Sequence, residues 1–174
     1  MKSKYFFGGL FIFIGIVWII GVTQFLITDV YAAELQFPSA WAVQVYFPAG
    51  AISTLLYLGF LFAWIIYSFN SRFRSSGKAR ATITLWLTLL GMSIVSNIIT
   101  LIICIETITV FTPANKNFTL GADVLNSPPY ELLVPLTIVN AILLFWLPSC
   151  FLSQRTLRFV PPLSYELISL SEKR

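Results

Sequence analysis

The chain has 174 residues, of which 57% are hydrophobic and only 10% are charged, and it contains no histidine and two cysteines. A soluble domain carries about 25% charged residues, and a disordered chain has low hydrophobicity, so the composition excludes both classes. Without histidine, and with so few cysteines, bis-histidine haem, most zinc sites and Cys₄ iron–sulfur clusters are also excluded. The sequence therefore predicts neither a cofactor nor a metal centre.

Four long uncharged runs follow one another along the chain, and about 20 apolar residues are enough to span a membrane. They predict transmembrane helices over residues 5–27, 47–67, 82–110 and 132–152. The expected fold is an all-α, multi-pass integral membrane protein. Residues 1–174 form a single four-helix bundle whose tail covers 153–174.

Prolines mark one predicted loop and one disturbed helix. The connection after the third helix, residues 111–131, contains Pro113, Pro128 and Pro129 and is predicted to be an irregular loop. Pro148 lies near the end of the fourth helix, where it is expected to kink the helix or to free the carbonyl of Leu144.

The distribution of Lys and Arg predicts the orientation. With four spans, both termini lie on the same side of the membrane. Of the basic residues, only Lys116 lies on the opposite side. The termini side holds ten of the 11 basic residues, namely Lys2, Lys4, Arg72, Arg74, Lys78, Arg80, Arg155, Arg158, Lys173 and Arg174. By the positive-inside rule, the N- and C-termini are cytoplasmic. This asymmetry explains the net charge of +4 without a nucleic-acid partner.

A basic cluster lies in the short connection between the second and third helices. It contains Arg72, Arg74, Lys78 and Arg80. Topology alone accounts for such a cluster. A sharper interpretation is that the cluster contacts anionic lipid headgroups. Each basic residue would then contribute about 1 kcal/mol to the free energy of membrane binding.

Small polar residues recur at three- and four-residue steps along the third helix. They are Ser93, Ser96, Asn97, Thr100, Cys104 and Thr107. We interpret this stripe as a close-packed helix interface, and one wall of a polar pathway is the alternative. Asn140 lies at mid-span of the fourth helix, as Asn97 does in the third. The two amides are therefore predicted to hydrogen-bond each other and to set the helix register.

Glu106 is the one acid that a predicted span could immerse in the membrane. It lies near the end of the third helix and off the polar stripe. We interpret it as a carboxylate that reaches interfacial water, and a proton or cation site is the alternative.

These features favour a non-catalytic accessory, scaffold or assembly subunit of a membrane complex. The expected partners are the lipid bilayer and other membrane-protein subunits. The alternative is a channel or transporter subunit with a polar path along the third helix. An enzyme is disfavoured, because the sequence offers no histidine, no facing carboxylate pair and no cysteine with an evident base.

Overall fold

The computed structural model describes residues 2–22, 47–70, 76–106, 109–111, 117–119, 130–153, 161–164 and 167. Side chains are described within 5–21, 47–70, 81–103, 134–153 and 161–164, and at residue 167. Helix α1 (Lys2–Val17) continues as a π-helical turn, π1 (Trp18–Val22), and is followed by α2 (Phe47–Asn70) and α3 (Ser76–Glu106). Two short strands come next, β1 (Thr109–Phe111) and β2 (Asn117–Thr119). Helix α4 (Tyr130–Ala141) then runs through a second π-helical turn, π2 (Ile142–Trp146), into α5 (Leu147–Leu152). We call the continuous unit of α4, π2 and α5 the fourth rod.

Three of the helices are long and apolar enough to cross a membrane. The apolar segments are Phe47–Asn70, Ala81–Ile103 and Val134–Leu152. The apolar part of the first helix, Tyr5–Gly21, is shorter than these three. By length and composition, three of the four membrane-spanning helices that the uncharged runs predicted are confirmed as long and apolar enough to cross a membrane.

The first helix and the fourth rod pack against each other in opposite directions. A Cβ placed on Gly8 would lie 2.6 Å from Cδ2 of Leu152, and one on Gly15 would lie 2.6 Å from Cδ2 of Leu144. Helix α1 therefore begins at the end of the bundle where the fourth rod finishes. We call this the tail end, and the opposite end, where α3 leads into the strands, the hairpin end.

The core lies between the four helical rods, and half of its buried cluster consists of aromatic residues. The aromatic rings of Trp86 and Phe145 contact each other with centroids 5.9 Å apart. The buried cluster contains Ile19, Tyr57, Leu61, Trp64, Trp86, Ala141, Leu144 and Phe145. Large apolar side chains also cover the outside of every rod, for example Phe6, Leu55, Val95 and Ile138. Helices that are apolar all round are typical of a bundle surrounded by lipid.

The prediction that the third helix continues to residue 110 is wrong. Residues Thr109–Phe111 form β1, which pairs antiparallel with β2 so that Phe111 lies opposite Asn117. The β-branched residues Thr109 and Val110 favour an extended backbone, and Pro113 comes two residues after the end of the strand. Within the predicted irregular loop over residues 111–131, the strands correct the prediction at Phe111 and Asn117–Thr119, while 112–116 and 120–129 lie outside the described residues.

The π-helical turn in the fourth rod is explained by the proline that follows it. Pro148 has no N–H, and in an α-helix its ring would clash with the carbonyl four residues earlier, that of Leu144. The turn widens instead, and the N–H of Leu147 donates to the carbonyl of Ile142, five residues back. The expected disturbance at Pro148 therefore takes the form of a π turn on its N-terminal side.

Candidate functional site

The buried polar side chains of the described residues are all uncharged serines, threonines and asparagines. Hydrogen bonds between helices gather many of them at two levels of the bundle. We call the level near the tail end the tryptophan–serine layer, and it contains Trp64, Trp86, Ser149 and Ser153. We call the level nearer the hairpin end the amide layer, and it contains Ser53, Tyr57, Asn97, Thr137 and Asn140.

In the tryptophan–serine layer, two indoles from different helices donate to two serines one turn apart. Trp64 Nε1 on α2 donates to Ser153 Oγ at 2.7 Å, and Trp86 Nε1 on α3 donates to Ser149 Oγ at 3.0 Å. The serine hydroxyls donate in turn, Ser149 Oγ to the carbonyl of Trp146 at 2.7 Å and Ser153 Oγ to the carbonyl of Ser149. The layer fastens α2 and α3 to the end of the fourth rod.

The amide layer joins α2 to α3 and to α4. Asn97 Nδ2 on α3 donates to Ser53 Oγ at 3.0 Å. One turn along α2, the Tyr57 hydroxyl donates to the carbonyl of Thr137 on α4 at 3.2 Å. Asn140 lies one turn further along α4.

The hydrogen bond expected between Asn97 and Asn140 is not formed between these two described side chains. The amide nitrogen of Asn97 is bonded to Ser53 instead. Equal depth in two helices specifies a level, but it does not specify which neighbouring helix each side chain faces. As a result, Oδ1 of Asn97 and Oδ1 of Asn140 are buried and have no hydrogen-bond partner among the described residues.

The hydroxyls of the polar stripe bond mostly within α3. Ser93 is buried and donates to the carbonyl of Leu90 at 2.7 Å. Thr100 donates to the carbonyl of the half-buried Ser96 at 2.8 Å. The side chain of Cys104 and the whole of Thr107 lie outside the described residues. Among the described members, Asn97 forms a hydrogen bond that reaches another helix.

The predicted charged sites fall where side chains are not described. Arg72 and Arg74 lie outside the described residues. Lys78 and Arg80 belong to the first turns of α3, and Glu106 is its last residue, but the side chains of all three also lie outside the described part. Anionic-lipid contact and an immersed carboxylate therefore stay predictions.

A short turn of the tail packs against the end of the fourth rod. Trp146 Nε1 donates to the carbonyl of Pro162 at 3.0 Å, and Cys150 Sγ lies 3.8 Å from the same oxygen. The turn is closed by a hydrogen bond of 3.1 Å from the backbone N–H of Ser164 to the carbonyl of Pro161. Cys150 is a free thiol and is buried beneath this turn.

The sequence reasoning missed the four residues of the tryptophan–serine layer. Ser149 and Ser153 were a usable signal, because residues four apart lie on the same face of a helix. Tryptophan is generally enriched at the membrane interface, because its ring is amphipathic. Trp64 and Trp86 instead reach inward, and each is at most 2% exposed.

The described side chains include no Asp, Glu, Lys or Arg. Within that part of the chain, no group of three metal-ligating side chains comes together. The two layers can therefore hold helices together or accept a neutral hydrogen-bond donor. Comparisons with protein-family models, with curated proteins and with solved structures find no match for this chain.

Proposed function

We propose that this protein is a non-catalytic accessory subunit that helps to assemble or hold together a membrane complex. The observation that carries the proposal is the filled, uncharged interior. Tyr57, Trp64 and Trp86 are at most 2% exposed, and each donates a hydrogen bond to another helix. Side chains used in this way stabilise a rigid bundle, and the described interior contains no Asp, Glu, Lys or Arg to carry a proton or an ion.

The proposal includes a four-span topology with cytoplasmic termini. Helix α1 contacts the fourth rod at two points two turns apart, Gly8 with Leu152 and Gly15 with Leu144. A helix that packs along a membrane-spanning rod lies at the same depth in the bilayer. The basic residues beside the tail end support a cytoplasmic position for that end, with anionic lipid headgroups as their partners.

Helix α3 offers the partner-binding surface in this proposal. In its apolar segment, 22% of the residues are buried inside the chain, compared with 39% in α2 and 56% in the fourth rod. We call its uncovered side the α3 outward face. It contains Leu87, Met92, Val95, Ile99 and Ile103, which are 50–56% exposed.

The test compares a bulky substitution on this face with one on α2. Val95→Trp on α3 is expected to reduce the size of the complex on a native gel after mild-detergent extraction from the host membrane. Leu55→Trp on α2, at a side chain that is 71% exposed, is the matched control and should leave the complex intact. Both variants should keep the thermal stability of the extracted protein.

A wild-type chain that leaves its host membrane alone, as a single copy in native mass spectrometry, would contradict the subunit proposal. Equal losses of complex in Val95→Trp and Leu55→Trp would instead contradict the assignment of the partner surface to α3.

The second candidate is a channel or transporter subunit with a polar path along α3. The observation that favours it is the pair of buried amide oxygens without a partner, on Asn97 and Asn140. Glu106→Gln separates the two candidates. The subunit proposal expects normal assembly and normal activity of the host complex, whereas the transport proposal expects normal assembly with activity abolished.

A further inference from the structure

The turn formed by residues 161–164, which we call the tail turn, contacts the fourth rod within its apolar segment and not beyond it. The carbonyl oxygen of Pro162 accepts a hydrogen bond of 3.0 Å from Trp146 Nε1 and lies 3.8 Å from Cys150 Sγ. The apolar segment ends at Leu152, six residues after Trp146 and two after Cys150. At about 1.5 Å of rise per residue, the two contacting residues lie roughly 9 Å and 3 Å inside that end.

The fourth rod has no length to spare outside a membrane. Its apolar segment, Val134–Leu152, has 19 residues, and about 20 are needed to cross the hydrocarbon of a bilayer. When the rod spans the membrane, its last turns therefore lie within the bilayer, and the tail turn lies beside them. This conclusion requires that the fourth rod spans the membrane. It does not depend on the side that the termini face, nor on the subunit proposal.

The backbone of the tail turn suits a place without water. Irregular backbone is tolerated at membrane depth only where its polar groups are bonded or covered by protein. Pro161 and Pro162 have no N–H to satisfy. Three successive carbonyls, beginning with that of Pro161, accept hydrogen bonds of 3.1, 3.0 and 3.1 Å from the backbone of Ser164, the indole of Trp146 and the backbone of Leu167.

The side chains of the tail turn divide into a covered pair and an exposed pair. Pro161 and Ser164 are buried, whereas Pro162 and Leu163 are exposed. Leu163 is 58% exposed, and its φ of 66° lies in the left-handed region, which a leucine adopts only at a cost in free energy. The flanking hydrogen bonds therefore hold an apolar side chain outward at a depth where its surroundings are lipid.

The sequence on both sides of the tail turn limits its depth. Residues 159–163 are five consecutive apolar residues, with Arg155 and Arg158 before them and Glu166 after them. Charged side chains are costly at the middle of a bilayer, but they reach the headgroups from positions near its edge. This pattern favours the boundary between acyl chains and headgroups over the midplane.

We propose that the tail turn is a membrane-interface anchor that lies beside the last turns of the fourth rod, with Leu163 in contact with lipid acyl chains. Its partner is the bilayer itself. The hydrogen bond from Trp146 to the carbonyl of Pro162 holds the turn at this depth. The tail is thereby fastened to the membrane a short distance after the last span ends.

The depth of a nitroxide label at position 163 provides the test. Full-length protein with Cys104→Ser and Cys150→Ser is reconstituted in phosphatidylcholine bilayers, and one further substitution, Leu163→Cys, Phe62→Cys or Asn70→Cys, carries the label. Oxygen concentrates among acyl chains and a neutral nickel chelate stays in water. Collision rates with the two reagents therefore report the depth of each label.

Two positions on α2 serve as references for this measurement. Phe62 is 63% exposed and lies two residues from Trp64, whose indole reaches Ser153 at the end of the fourth rod, so it marks the acyl chains at that level. Asn70, exposed at the end of α2, marks the hydrated region. We expect the label at position 163 to match the label at position 62. A match with position 70 would overturn the proposal, and so would few collisions with both reagents, because protein would then cover the side chain.

Trp146→Phe tests what holds the turn at this depth. The substitution removes the indole N–H, and the label at position 163 should shift towards the values of position 70. Trp86→Phe is the matched control, because that indole donates to Ser149 in the core and the depth of the label should not change. An unchanged depth in Trp146→Phe, or equal shifts in both variants, would contradict the role of this hydrogen bond.

A second measurement uses the wild-type chain and needs no cysteine substitution. Proline labelled with ¹³C at the carbonyl and leucine labelled with ¹⁵N together mark only two junctions, Pro135–Leu136 and Pro162–Leu163. Solid-state NMR then measures how fast magnetisation from acyl-chain protons reaches each junction. Leu136 lies inside the apolar segment and is only 7% exposed, so transfer to Leu163 should be at least as fast. Slower transfer from lipid to Leu163, with faster transfer from water, would overturn the anchor.

Discussion

At the scale of single residues, Gly15 occupies a point where α1 and the fourth rod are closest. A Cβ there would lie 2.6 Å from Cδ2 and 2.8 Å from Cγ of Leu144, which is fully buried. Gly15→Ala should therefore lower the free energy of unfolding by about 1–3 kcal/mol, because the core has to shift to admit a methyl group. Thermal unfolding in detergent micelles measures the loss.

The same helix contains a matched control for this substitution. Gly9 has no atom within 4 Å of a Cβ position, so Gly9→Ala adds its methyl group in open space. The greater helix propensity of alanine should leave stability unchanged or raise it by up to about 1 kcal/mol. Equal destabilisation by the two substitutions would show that α1 does not pack through Gly15.

Ser149 accepts the hydrogen bond of a fully buried indole. Ser149→Ala would leave Trp86 Nε1 without its acceptor, and the expected loss of stability is about 1–3 kcal/mol. In a double-mutant cycle with Trp86→Phe, the two changes should be coupled by at least about 0.5 kcal/mol. Additive effects would mean that this bond contributes nothing.

Thr88→Ala is the control for the loss of a hydroxyl. The Thr88 side chain is exposed and donates to the carbonyl of Thr84 in its own helix, at 2.8 Å. Its removal should change the unfolding free energy by less than about 0.5 kcal/mol.

At the scale of helices, α3 has one face that packs and one that does not. Ser93 is fully buried, and the neighbouring Met92 is 51% exposed. Ser93→Leu should overfill the interface and lower stability by about 1–3 kcal/mol, whereas Met92→Leu should be nearly neutral. Size-exclusion chromatography after heating gives the comparison. A greater loss from Met92→Leu would place the packed face elsewhere.

The sequence predicted where the helices lie better than it predicted which way they face. Phe47 begins α2 as expected, because the length of an apolar run is a property of the chain alone. The rotation of a helix depends on its neighbours, and for that reason the bond from Asn97 to Ser53 could not be predicted from depth. The inward position of Trp64 and Trp86 was missed for the same reason. The hairpin at Thr109–Phe111 was missed because apolar β-branched residues continue the pattern of the preceding span.

At the scale of the whole molecule, the orientation in the membrane is open to a direct test. Single cysteines at Ser76 and Ser171, in a background without Cys104 and Cys150, should react with an impermeant reagent only from the cytoplasmic side. A cysteine at Asn115 should react only from the opposite side. Labelling of Ser76 and Asn115 positions from the same side would exclude the four-span arrangement.

The π2 turn has a consequence for how a chain of this kind can change in length over evolutionary time. A π-type ring encloses one residue more than an α-type ring. Loss of one residue within Ile142–Trp146 would restore α spacing, while Asn140 and Ser149 would keep their present neighbours and Pro148 would introduce a kink. Loss of one residue inside Phe47–Asn70 would rotate everything beyond it by about 100°. Among the membrane-spanning segments, a one-residue deletion is therefore expected to be tolerated better at Ile142–Trp146 than inside Phe47–Asn70.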